Sequence, residues 1–135
     1  MTPDSLIATM VVVGGLGLLF AIAARNTRRQ INTTFARRKN LEQSEFLALM
    51  YNDCAPEAAE FLWETTKFYL APRLTPHPDD DLFRDLPIDD EDWSIDWPRD
   101  FARQYGFSES DLPEWPKEQP VTIRNYGRWL STGIR

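Results

Sequence analysis

Nineteen consecutive uncharged residues, Leu6 to Ala24 (LIATMVVVGGLGLLFAIAA), constrain this chain more than anything else in it. The run stops abruptly at Arg25. As a helix rising 1.5 Å per residue it spans roughly 28 Å, close to the ~30 Å hydrocarbon core of a bilayer. A helix of a soluble domain is rarely apolar all round for that length. The sequence therefore predicts one membrane-spanning helix over residues 1–25, with everything after it working next to a membrane surface.

The flanks favour an anchor over a cleaved leader. A secretory signal needs a basic n-region, a shorter apolar stretch and a small-residue cleavage site. Asp4 is the only charged side chain ahead of the run. Ala21-Ile22-Ala23 is a weak cleavage bait and the alternative to a retained anchor. The basic residues follow the run: Arg25, Arg28, Arg29, Arg37, Arg38 and Lys39. Short flanks rich in Lys and Arg stay cytoplasmic, so the expected topology is single-pass in the cell inner membrane, with the C-terminal domain in the cytoplasm. The same six cations are candidates for contact with anionic headgroups. Gly14, Gly15 and Gly17, with Ala21 four residues after Gly17, also allow helix–helix association in the bilayer.

Residues 26–43 read as a basic juxtamembrane stretch, either a continuation of the anchor helix or a spacer. One small domain over 44–135 remains. From Asn40 onward 20 Asp and Glu face 9 Lys and Arg, a net of −11. Such a domain repels nucleic-acid phosphates and attracts basic proteins. A single Cys54 rules out an internal disulfide, and with one His77 it makes neither a zinc site nor a convincing catalytic dyad. No Gly-rich phosphate loop and no GxSxG occurs. The expectation is a non-enzyme with no cofactor and no metal.

Helical periodicity dominates the domain. A first helix is expected from about Ser44, broken at Asn52-Asp53-Cys54. Pro56 suits the first position of the next, where Ala58, Phe61, Leu62, Thr65 and Phe68 or Tyr69 make an apolar stripe to about Leu70. Residues 71–87 read as a long loop anchored by Leu74, Leu82, Phe83 and Leu86, with Asp79-Asp80-Asp81 solvated. Asp89-Asp90-Glu91-Asp92 is an acidic helix start. Behind it Trp93, Trp97, Phe101 and Tyr105 share one face, but Pro98 requires a break or kink. A short turn or helix over about 90–96 and a new helix from Trp97-Pro98 to a Gly106 cap are expected. Phe107 and Leu112 anchor the next loop. Thr122 caps a last helix carrying Ile123, Tyr126, Trp129 and Leu130, which Gly133 ends.

Three motifs lie in a telling order: Asp85-Leu86-Pro87-Ile88-Asp89-Asp90, then Arg103-Gln104-Tyr105-Gly106-Phe107, then Thr122-Ile123-Arg124-Asn125-Tyr126. Over roughly residues 44–131 this resembles the acyl carrier protein family and is similar to a divergent bacterial family of unknown function with carrier-like domains. The resemblance implies a small all-α, acyl-carrier-like helical bundle with an acidic recognition surface. It departs where the family carries phosphopantetheine: Asp90, or Glu91 one residue on, stands in place of the serine, and a carboxylate cannot form that phosphodiester. Ser94 is the nearest hydroxyl.

These features make a membrane-anchored adaptor the leading expectation. Its acidic surface, Asp89, Asp90, Glu91, Asp92 and Asp96 with Trp93 or Trp97 exposed beside it, would bind a basic protein partner. The alternatives are a tethered acyl carrier modified at a non-standard serine and a small accessory subunit that binds a membrane complex through its span.

Overall fold

The computed structural model describes residues 3–134. Five α-helices follow one another: α1 (Pro3–Arg37), α2 (Gln43–Met50), α3 (Pro56–Leu70), α4 (Trp97–Tyr105) and α5 (Ile123–Ser131). A π-helical turn (Asp92–Asp96) runs directly into α4, and a 3-10 turn (Glu109–Asp111) lies between α4 and α5. No strand forms among the described residues. One isolated antiparallel bridge joins Asp81 and Thr122.

Helix α1 settles what the stretch after the apolar run does. It continues without interruption from the apolar run to Arg37, 35 residues or roughly 52 Å. Nothing in the sequence between Arg25 and Arg37 breaks a helix, since neither Gly nor Pro occurs there. Its first two-thirds pack against nothing, and this is a helix long and apolar enough to cross a membrane. Its last two turns dock on the domain, with Thr34 buried and Ile31 against the core.

Short-range rules account for the other helix ends. Glu42 and Glu45 form a reciprocal capping box at the start of α2. Pro56 sits in the first turn of α3, where its missing N–H costs nothing. Thr122 accepts the Asn125 N–H at 3.1 Å to open α5. Gly106 closes α4 in the left-handed conformation at φ 72°, and the Phe107 N–H reaches back to the Ala102 carbonyl at 3.1 Å.

Pro98 is accommodated without a break. The helical run starts at Asp90, widens to a π turn and becomes α4 at Trp97. The Trp97 N–H bonds the Asp92 carbonyl, five residues back. That extra residue relaxes the ladder where the proline ring would crowd it: the short segment expected before Trp97 is a π turn, and α4 starts at Trp97 as expected.

The core lies where α3, α4 and α5 meet, closed by α2. Phe46 packs on Trp63 with ring centroids 5.2 Å apart, and Phe61 meets Phe101 edge-on at 5.1 Å. The buried stripe of α3 is Ala58, Ala59, Leu62, Trp63, Thr66 and Leu70. It is rotated from the expected one: Trp63 and Leu70 are inside, Phe61 and Thr65 are half-buried, and Phe68 is 83% exposed. The reason is tertiary, because α3 is covered by α2 on the Trp63 side. Gly127 lets α5 approach closely: a Cβ there would meet Met50 Cε at 2.7 Å and Cys54 Sγ at 3.0 Å.

The long loop after α3 is a structural element in its own right. Leu74, Leu82, Leu86 and Ile88 are buried in the core. Its backbone pairs with the start of α5: Leu82 N–H to the Val121 carbonyl at 2.9 Å, Ile123 N–H to the Asp80 carbonyl at 3.1 Å and Arg124 N–H to the Pro78 carbonyl at 2.8 Å. Two expectations fail here. Phe83 is not an inward anchor but 51% exposed. The aspartate triplet is solvated only at Asp79, since Asp80 is buried at 1% exposure and Asp81 is half-buried. Asp81 instead uses its carboxylate to accept the Phe83 and Arg84 N–H groups at 2.8 and 3.0 Å.

Candidate functional site

The acidic residues fall into two groups. Asp89, Asp90 and Glu91 are exposed at the head of the helical run, and their carboxylates have neither an ion pair nor a hydrogen bond among the described residues. Asp92 and Asp96 are half-buried one turn further on. Asp96 pairs with Arg99 at 3.1 Å, and Asp92 lies against Tyr69, whose hydroxyl is pushed up chiefly by burial. Ser94 is exposed, and its hydroxyl donates to the Asp90 carbonyl within the helix.

The tryptophans do not stand exposed beside the acids. Trp97 is 2% exposed and meets Tyr126 edge-on at 5.7 Å. Trp93 is half-buried, its ring 5.6 Å from Phe83 and 6.5 Å from both Trp115 and Tyr126, and its carbonyl accepts the Tyr126 hydroxyl. Both rings stay on the core face through the π turn. The exposed apolar groups near the acids are Phe83 and Ile95, the latter 54% exposed. Sequence reasoning missed both. Ile95 was legible, since it lies midway between Trp93 and Trp97 and so opposite their face. Phe83 was not, because a loop residue has no periodicity to betray its direction.

The six basic residues divide in the same way. Arg25, Arg28 and Arg29 are exposed on α1 and have no carboxylate partner among the described residues. Arg37 bonds Asp85 at 2.8 Å, and Lys39 bonds Glu45 at 2.6 Å across a well-exposed contact. Arg38 is drawn inside. Its Nε and Nη2 donate to the two oxygens of Asp80 at 2.7 and 2.6 Å, and Nη2 also donates to the Thr75 carbonyl at 2.8 Å. Only Arg25, Arg28 and Arg29 stay unengaged by the domain. Arg37 lies a further roughly 18 Å along α1 from Arg25.

The helix–domain seam is polar and satisfied. The Gln30 amide donates to the carbonyls of Arg84 and Leu86 at 3.1 and 3.0 Å, and the Thr34 hydroxyl donates to the Asp85 carbonyl at 2.7 Å. Arg73 lies over the Phe35 ring at 4.9 Å. Burial pushes the Asp80 carboxyl above its ordinary value, while Arg38 and the His77 N–H pull the other way. Burial holds His77 below its ordinary value, and its Nδ1 accepts the Asp79 N–H at 3.1 Å, a bond only the neutral ring makes. Arg124, which bonds Asp79 at 3.1 Å, also bonds Asp53; Asp53 bridges it to Arg128 and is held low by those hydrogen bonds.

Nucleophile chemistry finds little support in this arrangement. The half-buried Cys54 thiol is pushed up to about 11 by burial and the neighbouring Asp53. No cluster of three metal-ligating side chains occurs among the described residues. What the geometry offers is an exposed carboxylate group on a rigid helix start and unpaired guanidinium groups on α1. No family model, no curated protein and no solved structure matches the chain.

Proposed function

We propose that the protein is a membrane-anchored, non-catalytic adaptor that captures a basic protein partner with the carboxylates of Asp89, Asp90 and Glu91. The observation that carries this reading is their lack of any internal partner, while Asp53, Asp79, Asp80, Asp85 and Asp96 are all spent on arginines within the fold. One cap and one or two first-turn acids suffice to complement a helix dipole. The surplus charge, flanked by Phe83 and Ile95, suits steering of a cationic surface followed by apolar contact. In this reading α1 spans the inner membrane with its N-terminus outside, because Arg25, Arg28 and Arg29 hold their end in the cytoplasm. The order of α3, a long loop, the helix from Asp90, a short turn and α5 supports a carrier-like bundle that recognises partners without carrying an acyl group.

The test is affinity capture from solubilised membranes with the full chain. Asp90→Lys combined with Glu91→Lys should abolish capture of the partner, and added salt should weaken it, since exposed charges are screened over about 8 Å at physiological ionic strength. Capture indifferent to both, but lost when Leu6–Ala24 is scrambled at constant hydropathy, would overturn the adaptor and favour an accessory subunit bound through its span. A reporter fused to the C-terminus should be active only in the cytoplasm.

A further inference from the structure

The loop from Leu82 to Leu86 is tied to α1 by Gln30 at its membrane-proximal edge and by Thr34 and Arg37 further along. Gln30 binds its carbonyls, and Gln30 lies five residues past Arg25, roughly 7–8 Å beyond the end of the apolar run. Side chains on a helix lean toward its N-terminus, here toward the bilayer. The edge of the loop held by Gln30 therefore sits at the depth of the headgroups, which extend about 5–8 Å beyond the hydrocarbon. From that depth outward an open cleft of about 580 Å³ runs along α1 from Asn26 to Arg37, with Arg29 near its membrane end and Arg84 and Asp85 of the loop on its other side. Arg37 neutralises Asp85. Arg29 and Arg84 are exposed and have no carboxylate partner among the described residues, so two uncompensated guanidinium groups from distant parts of the chain border one cleft. Phe83 stands exposed beside Arg84, and Asp89, Asp90 and Glu91 line a separate depression with Phe83 and Ile88.

We propose that this cleft is a binding site for the phosphodiester of an anionic phospholipid, with Arg29 and Arg84 as its ligands. The site sets the domain on the membrane surface in a fixed orientation. Guanidinium pairs match phosphate geometry through forked hydrogen bonds. The source is a lipid rather than a free anion because the cleft opens at headgroup depth along a helix that itself enters the bilayer. The proposal rests on the reading of α1 as a span.

The full chain in nanodiscs tests it, with spin-labelled phosphatidylglycerol and phosphatidylcholine as probes of motionally restricted lipid. The wild type should prefer phosphatidylglycerol. Arg84→Gln should lower that preference about fivefold, as should Arg29→Gln, since one basic residue near the surface is worth about that factor. Arg84→Lys should retain most of it, and Arg103→Gln, the same charge change on an exposed face of α4, should leave it unchanged. Unchanged melting of each variant shows that the fold is intact. A preference unaffected by Arg84→Gln, or reduced equally by Arg103→Gln, overturns the site. Competition by millimolar inorganic phosphate overturns the lipid as its ligand. A chain that fails to enter the disc at all overturns the span, a result distinct from an embedded chain that ignores Arg84.

Discussion

Arg38 and Asp80 form the most deeply buried ion pair among the described residues. Their side chains are 12% and 1% exposed, so each charge depends on the other for compensation. Removing one partner of such a pair typically costs about 3–5 kcal/mol, because the survivor stays buried and unpaired. Arg38→Met should destabilise the chain by about that amount, and Arg38→Met with Asp80→Leu should recover much of it; both are measurable by denaturant unfolding in detergent. The single variant should also acquire a pH dependence. Burial already raises the Asp80 carboxyl, and loss of Arg38 raises it further. A group whose pKa is raised by folding contributes stability below its unfolded value and loses it as pH rises through the folded value. The deficit of Arg38→Met should therefore be largest near pH 8 and shrink as pH falls toward 4. A deficit that grew on acidification would mean Asp80 is not the group left behind.

Among the elements, α5 is the one most dependent on close packing. Gly127 sits where it passes the turn between α2 and α3, with no room for a branched side chain beside Met50 and Cys54. Overpacking of this kind costs about 1–3 kcal/mol. Gly127→Val should lower stability by that amount, and adding Met50→Ala should relieve part of it, because the tightest contact is with the end of a flexible methionine. Loss of the Thr122 hydroxyl should cost about 1 kcal/mol independently, as at other N-caps. Additivity of Thr122→Ala with Gly127→Val, read from thermal melts of the double variant, would confirm that cap and packing act separately. The π turn ahead of α4 shows an element solving its own problem. Pro98 removes a donor and crowds the preceding turn, and one extra residue in the ladder absorbs both without turning Trp93 or Trp97 away from Tyr126.

Viewed whole, the protein is a rod with a domain fastened to its lower third. Gln30, Thr34, Arg37 and Arg38 bind the loop from Thr75 to Leu86, so the domain does not hang on a flexible tether. Spin labels at Ala36 and Lys67, both exposed, should give one narrow distance distribution in nanodiscs. Gln30→Ala with Thr34→Val should broaden it while leaving melting of the core nearly unchanged. A broad distribution in the unsubstituted chain would show that α1 and the domain move independently. A rigid seam fixes the acids of the helix start, and the cleft at Arg84, in position relative to α1.

Local physics made much of this molecule readable in advance. The long apolar helix, the start of α3 at Pro56, the Gly106 cap, the Thr122 cap and the all-helical class follow from hydropathy, proline placement and hydroxyl capping within a few residues. The cluster of exposed carboxylates at Asp89, Asp90 and Glu91 follows from composition. The tertiary structure alone decided which charges remain free. Arg38 and Asp80 are 42 residues apart, and nothing local distinguishes Arg38 from Arg28 or Asp80 from Asp79. It also decided that Trp93 and Trp97 close the core while Phe83 and Phe68 face outward, because an aromatic ring buries only where another element arrives to cover it. Hydropathy, caps and turns act over one or two helical turns, whereas pairing of charges and covering of rings depend on chain segments that meet only after folding.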